Sequence, residues 1–343
     1  MKIEIARERL EKVRRIVVHT DADGVASAMI LKASALSGPV EYVQYDTPAH
    51  VNMKAEPGMI FCDFSPHHSR VDEFLEAGAI VLDHHKTTRS VVQRFIDRGL
   101  GAFGDEETEP GVCGATLALR HVWNVYPFET AYRRRCDAIV EDLAQLAGIR
   151  DTWQKQDPRW IEACEQAAAM NFWDWDKLVG SPPEDWAGLL KPIGKQAYQS
   201  HLRKVRKCVD SAYHFTTPAG LKAVVFQGYF AASDAAEMVD QDTDIICGFS
   251  LFFEGGKPYI LCGLRSRSNF DVGAFAKAVS EGGGGHAKSA GFRRVLDLTD
   301  PNPFCFFRDI VIRYEAQHCT CGEDNNDGGP SLPHKSWCSQ AGK

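Results

Sequence analysis

The chain has 343 residues, 44% hydrophobic and 25% charged, a length and composition suited to two cores rather than one. A formal charge of −7 excludes a protein that coats nucleic acid through bulk positive charge, while a local basic patch beside bound cations stays compatible with it. The 11 cysteines lie mostly in apolar runs such as Ile60-Phe61-Cys62 and Ile245-Ile246-Cys247, which reads as small buried hydrophobes and not as a disulfide framework.

The N-terminal residues up to Arg15 mix charged and aliphatic side chains without an apolar leader. No stretch reaches the roughly 18 apolar residues that a membrane span needs. The expected setting is the reducing cytoplasm, with no membrane association.

In chain order, residues 3–13 read as a short amphipathic helix, and Ile16-Val17-Val18 as a buried strand ending in His19-Thr20-Asp21-Ala22-Asp23-Gly24. A helix is expected from Val25 to Leu36, then a strand from Val40 to Gln44. Met59 to Cys62 reads as a strand ending in Asp63. A helix from about His68 to Glu76 leads to Ala79-Ile80-Val81-Leu82, which ends in Asp83. Short apolar runs alternating with helices predict an α/β fold with a parallel sheet covered on both faces. Ligands bind beyond the carboxyl ends of such strands, so Asp21, Asp63 and Asp83 are expected to converge.

Residues 111–124 and 133–147 read as helices, with Gly148 as a C-cap and Asp151 in the turn that follows. A helical, tryptophan-rich stretch continues to about residue 205, broken at Ser181-Pro182-Pro183. Strands are expected at Leu221–Phe226, Asp244–Leu251 and Tyr259–Leu264, and a helix at Val272–Ser280 precedes the run Gly282-Gly283-Gly284-Gly285-His286. The expected domains are residues 1–188, a helical linker at 189–205, a smaller α/β domain at 206–315 and a flexible tail at 316–343. An active-site cleft is expected between the two domains.

One aspartate at a strand end is commonly a helix cap. Several, with histidines at the same sheet edge, have to be desolvated together, and a bound cation offsets that cost. His19, Asp21 and Asp23 offer two ligand types within five residues. A carboxylate such as Asp63 can bridge two cations about 3.5–4 Å apart. Mixed carboxylate and imidazole donors suit Mn²⁺, Zn²⁺ or Fe²⁺, while Mg²⁺ prefers oxygen. The metal-free alternative is a set of caps and core residues.

Four motifs in order resemble those of the DHH phosphoesterase superfamily: His19-Thr20-Asp21-Ala22-Asp23-Gly24, Asp63 after its strand, Asp83-His84-His85, and Asp151 within Gly148-Ile149-Arg150-Asp151-Thr152. Leu264-Arg265-Ser266 and the glycine run with His286, Ala290 and Gly291 resemble the DHH-associated substrate domain, so the similarity covers roughly residues 14–293. The resemblance implies two divalent cations, expected to be Mn²⁺ with Mg²⁺ or others as alternatives. His19, Asp21 and Asp63 would hold one cation, and Asp23, Asp63, His84 and Asp151 the other. His19 lies only two positions before Asp21, a spacing shorter than in some relatives, so a plain strand-end histidine stays open for it.

Asp83 would either touch a metal or support His84, and His85 would contact the scissile phosphate or assist the leaving group. Arg265, Ser266, Asn269, Gly283, Gly284, Gly285 and His286 would bind substrate; Arg267 has no such warrant. The implied activity is hydrolysis of single-stranded or short oligonucleotides to 5′-mononucleotides, as in oligoribonucleases and RecJ-type exonucleases, by a monomer or homodimer. Linear or cyclic dinucleotides and 3′-phosphoadenosine 5′-phosphate are alternative substrates, and a non-catalytic nucleotide-binding regulatory module is the alternative of another class. Trp153, Trp160, Trp173 and Trp175 read as core before base-stacking residues, and the tail with His318, Cys319, Cys321, His334 and Cys338 as disordered before zinc-binding.

Overall fold

The computed structural model describes residues 5–125, 130–280, 283–296 and 302–317. They form an α/β protein of two compact units, residues 1–201 and 202–343. The expected tail beyond Gln317, with its cysteines and histidines, lies outside the described residues, as does Gly282.

In the first unit the strands are β1 (Arg15–Val18), β2 (Val40–Tyr42), β3 (Met59–Cys62), β4 (Ile80–Asp83) and β5 (Gly101–Phe103), in the order β2-β1-β3-β4-β5. Every pairing is parallel. The helices are α1 (Arg7–Leu10), α2 (Ala22–Ala33), α3 (Pro48–Val51), α4 (Val71–Glu76), α5 (Arg89–Ile96), α6 (Gly114–Ala118), α7 (Thr130–Asp151), α8 (Trp160–Met170), α9 (Trp175–Val179) and α10 (Pro183–Asp210). Pro183 opens α10, where its missing N–H costs nothing, so the expected break at Ser181-Pro182-Pro183 is a helix start. The expected linker 189–205 lies within this helix.

The strands read as continuous apolar runs because both faces are covered, and alternate residues serve two cores. Ile16, Val18, Ile60, Cys62, Ile80 and Leu82 join Val25, Met29, Val122 and Trp123 on one face. Val17, Phe61 and Val81 join Phe74, Val92 and Phe95 on the other. Each such side chain contributes about 1.5–3 kcal/mol when fully buried.

The chain leaves β1 toward β2 on one side and returns to β3 on the other, so the strand order reverses between β1 and β3. That crevice at the carboxyl ends is where such sheets bind ligands. His19 follows β1, Asp63 follows β3, and Asp83 ends β4 just before His84 and His85.

One local expectation is corrected. Helix α7 does not stop at Gly148 but runs through it, which places Asp151 in its last turn. The glycine serves packing: a Cβ at Gly148 would lie 2.2 Å from the Gly111 carbonyl oxygen. The expected helix over residues 111–124 is a short α6 that continues as a π-helical turn at Leu119–Trp123.

The second unit holds β6 (Tyr213–Thr216), β7 (Lys222–Gln227), β8 (Ile245–Glu254), β9 (Lys257–Ser266), β10 (Gly284–His286) and β11 (Ser289–Val295). Their order is β10-β11-β9-β8-β7-β6, antiparallel except between β7 and β8. Helices α11 (Ala232–Ala235), α12 (Val272–Val279) and α13 (Pro303–Gln317) accompany this sheet. Phe275, Phe292 and Phe307 lie in its core with Val225, Cys247 and Leu264. The edge strands β6 and β10 were not anticipated, being only four and three residues long.

Candidate metal centre

Each acidic residue at the sheet edge is held by a different local device. Asp21 caps α2: its Oδ1 accepts from the Gly24 N–H at 2.9 Å, and its Oδ2 lies 2.7 Å from His19 Nδ1. Asp23, in the first turn of the same helix, accepts from the Gly114 N–H at 2.6 Å and the Ala115 N–H at 2.9 Å. The N-terminus of α6 therefore grips it as such termini grip anions.

Asp63 follows β3 in a left-handed conformation, φ 57°, which an aspartate tolerates better than a bulkier residue. Its Oδ1 lies 3.1 Å from His84 Nε2, while its Oδ2 is buried with no hydrogen-bond partner among the described residues. The second ring nitrogen of His84, Nδ1, lies 2.9 Å from Glu106 Oε1. A proton held on Nδ1 by Glu106 leaves Nε2 as a lone pair facing the carboxylates, the usual arrangement behind a metal-binding histidine. That nitrogen is also 3.6 Å from Asp151 Oδ2 and 3.8 Å from Asp23 Oδ2.

Ligand-capable atoms gather within 4.8 Å of one another in three groups: His19, Asp21 and Asp63; Asp23, His84 and Asp151; and Asp63, Asp83, His84 and His85. Asp83 differs from the rest. Its Oδ2 accepts from Ser65 Oγ at 2.5 Å, Thr88 Oγ1 at 2.8 Å and Tyr45 Oη at 3.2 Å. Its Oδ1 accepts from the His84 and His85 N–H groups at 2.8 and 3.2 Å and lies 2.7 Å from His85 Nδ1. A carboxylate this fully engaged has little left to offer a cation. Its evident work is to fix His85 and the start of the loop that carries His84.

Burial and the charges of Asp23 and Asp21 push the Asp63 carboxyl well above the usual carboxylate range. Asp151 is pushed up to about 7, first by desolvation and then by Asp23 and Asp21, against the pull of His84. Asp21 and Asp83 go the other way: burial opposes ionisation, but His19 and Gly24 hold Asp21 low, and His85, His84 and Ser65 hold Asp83 low. Despite burial, bonds to Asp63 and Glu106 raise His84, and Asp21 raises His19.

The donors fit divalent cations that accept both imidazole and carboxylate. The orphaned Asp63 Oδ2 and the buried, unpartnered His19 Nε2 are what a cation would satisfy. The upward shifts of the Asp63 and Asp151 carboxyls, caused by burial and by neighbouring negative charge, point the same way.

A pH dependence follows. Asp63 and Asp151 have folded values above those of the unfolded chain, so the folded protein binds more protons between about pH 4 and pH 7 and loses stability as pH rises. His84 and His19, also raised, stabilise below about pH 6.5 and lose that contribution as pH climbs through their folded values. The metal-free protein is therefore expected to melt at lower temperature at pH 8 than at pH 6. A cation such as Mn²⁺ bound there would replace the protons, so the rise in Tm that it produces should be larger at pH 8. Scanning calorimetry with and without Mn²⁺ checks this, and equal metal-induced shifts at both pH values would contradict it.

In the second unit, Arg265 donates to Ser233 Oγ at 2.5 Å and to the Leu264 carbonyl at 2.6 Å. Ser266 is buried, its hydroxyl bonded to Ser268 O at 3.2 Å, and Asn269 is exposed. Arg267 donates to the Asp240 carbonyl at 2.6 Å. Gly283 and Gly285 have packing reasons of their own: a Cβ would lie 2.0 Å from the Ala276 oxygen at Gly283 and 2.5 Å from the Ser289 oxygen at Gly285. Gly284 faces open space, and the backbone of His286 closes β10. Trp173 donates its indole N–H to Leu189 O at 3.0 Å, and Trp175 packs on Tyr42 with ring centroids 4.8 Å apart, both serving the core.

Several residues of the centre were missed in the sequence. Glu106 follows β5 in the same strand-then-acid pattern as its neighbours, but β5 is only three residues long. Tyr45 and Ser65 meet Asp83 from two other loops, and Thr88 from the 3-10 turn that follows β4. Gly114 left a trace as a glycine within a helix-forming run: a Cβ there would lie 2.3 Å from Asp63 Cβ and 2.9 Å from Asp23 Oδ2.

No protein-family model and no curated protein matches the sequence. Solved structures match the fold. A DHH domain described as a member of the S1p family of ribosomal proteins superposes with a TM-score of 0.56 at 12% identity, covering 88% of this chain and 87% of that one. RecJ in complex with Mn²⁺ from Thermus thermophilus superposes with a TM-score of 0.54 at 19% identity, covering 91% of this chain and 53% of RecJ. The chain thus spans about half of that RecJ protein. These likenesses show the fold, which is that of the DHH domain and of RecJ. No helix among the described residues is long and apolar enough to cross a membrane.

Proposed function

We propose that the protein is a two-metal phosphodiesterase of the cytoplasm that hydrolyses single-stranded or short oligonucleotides to 5′-mononucleotides. The observation that carries this reading is Asp63, a buried carboxylate that groups with His19 and Asp21 on one side and lies 3.1 Å from His84 Nε2 on the other, with one oxygen left unpartnered. His19, Asp21 and Asp63 would hold one divalent cation, and Asp23, Asp63, His84 and Asp151 the other, Mn²⁺ being the expected ion. Bound there, the pair would supply a nucleophilic water at neutral pH and charge stabilisation for the phosphoryl group.

The rest of the chemistry belongs to the chain. Asp83 fixes His85 through Nδ1, which leaves Nε2 to meet the scissile phosphate or its leaving oxygen. Glu106 sets the tautomer of His84. Residues 1–188 would form the catalytic domain, 189–205 the link and 206–315 the substrate domain. There Arg265, Ser266, Asn269, Gly283, Gly284, Gly285 and His286 would bind the remainder of the substrate. Arg265 brings charge, and Gly284 an open backbone against which a phosphate can lie.

The test is a time course with end-labelled RNA and DNA, from dinucleotides to strands of roughly two dozen nucleotides, in Mn²⁺ and in Mg²⁺. Cyclic dinucleotides and 3′-phosphoadenosine 5′-phosphate run alongside. Release of 5′-mononucleotides from single strands, abolished by EDTA, is the expected result. Cleavage confined to the cyclic dinucleotides or to 3′-phosphoadenosine 5′-phosphate would replace the substrate class. Nucleotide binding that persists in EDTA, with no product in either metal, would overturn the enzymatic reading in favour of a regulatory module.

A further inference from the structure

We propose that Trp153 is a positioning residue for Asp151: its indole locks the last turn of α7 in the orientation that presents this carboxylate to the metal centre. The inference rests on the two-metal reading above. Its starting point is the backbone. Trp153 has φ 58°, in the left-handed region that a bulky side chain rarely adopts.

The hydrogen bonds explain what the chain does there. Gln154 N–H donates to Ile149 O at 2.9 Å and Trp153 N–H to Arg150 O at 3.4 Å, the paired bonds of a Schellman helix stop with Trp153 at the position usually held by glycine. A glycine would close the helix equally well without steric cost, so the motif alone gives no reason for a tryptophan. Backbone strain of this kind persists where the surrounding structure compensates for it.

The side chain supplies the compensation. The Arg150 guanidinium stands 4.2 Å from the Trp153 ring centroid and 5.3 Å from that of Trp160 at the start of α8. The two indoles meet edge to face, 5.1 Å apart. Lys155 lies over Trp153 at 5.3 Å. Trp160 in turn packs on Leu146 and Ile149 of α7 and Ala163 of α8. The small core between the two helices thus continues past the end of α7 as an Arg150, Trp153 and Trp160 stack.

Asp151 sits between Arg150 and Trp153 in sequence and reaches His84 Nε2 at 3.6 Å. Of the expected metal ligands it alone comes from α7, in the last turn of the helix and outside the apolar core. The stack is what fixes the helix turn that carries it. Loss of the indole would free that turn to fray, and a displacement of about 1 Å is enough to degrade such a site.

Trp153→Gly separates the two roles of the residue, because it removes the strain together with the stack. The variant is expected to fold and, without metal, to melt no lower than Trp153→Ala, which keeps the strain and loses the stack. Isothermal titration with Mn²⁺ alone should show two sites in the wild type and about a tenfold weaker second site in Trp153→Gly. Trp153→Phe, which retains an aromatic face for Arg150, should recover most of that loss. Electron paramagnetic resonance at two equivalents should show the coupled Mn²⁺ pair in the wild type and the Phe variant, and isolated Mn²⁺ in the Gly variant. Wild-type Mn²⁺ affinity at both sites in Trp153→Gly would overturn the inference. A wild type that binds no Mn²⁺ pair would instead overturn the metal-centre reading on which it rests.

Discussion

Asp63→Asn is expected to lower turnover by about 10³-fold or more and to abolish binding of the second Mn²⁺, while the metal-free variant folds at least as well as the wild type at pH 8. Two effects of one carboxylate are separated here. As the proposed shared ligand it would support both cations, and several kcal/mol of transition-state stabilisation would go with it, each 1.36 kcal/mol being a factor of about ten. As a buried group it is a liability. Without cations it stands among Asp21 and Asp23, and its ionisation is strongly disfavoured. The amide keeps the shape and discards the charge, so the metal-free fold gains where the site loses, as at other strained functional positions. Turnover in Mn²⁺, calorimetric titration and a melt in EDTA check the three parts. A variant that keeps activity within a few-fold of the wild type would remove Asp63 from the centre of the account.

Gly114→Ala is expected to damage fold and site together. The added methyl would lie 2.3 Å from Asp63 Cβ, 2.8 Å from Ser27 Oγ and 2.9 Å from Asp23 Oδ2. All three neighbours are buried and none is the free end of a long side chain. The N-terminus of α6 would have to move away, and the two N–H bonds that hold Asp23 would lengthen. Overpacking of this kind costs about 1–3 kcal/mol. A shift of about 1 Å in a ligand pair costs about 10²-fold in rate. Both are read from the melt and from kcat in saturating Mn²⁺, and an unchanged kcat would show that the α6 terminus does not set the geometry of Asp23.

Signals local to one segment of the chain were legible in the sequence. β1, β3 and β4 were legible because each is a short apolar run, buried on both faces, with an acid at its end or within three residues of it. The parallel sheet and the convergence of Asp21, Asp63 and the Asp83-His84-His85 run followed from that pattern and the rule for strand ends. What escaped lay in pairings between distant segments. The hold of α6 on Asp23 joins positions 91 and 92 residues apart, and no periodicity announces it. Gly148 carried a true signal with the wrong cause, since it is small for the sake of the Gly111 backbone and not for a helix end. Asp83 could not be assigned from its motif, because its role depends on Tyr45 and Ser65 meeting it from other loops. Trp153 occupies a position that glycine normally takes, which is why no stop signal was visible there.

The most direct test of the central claim is anomalous diffraction from crystals of the protein grown with Mn²⁺. Two manganese peaks about 3.5–4 Å apart are expected, with a carboxylate oxygen of Asp63 bound to each. His19 and Asp21 should complete one site, and Asp23, His84 and Asp151 the other. A single peak, or two peaks that do not share Asp63, would contradict it.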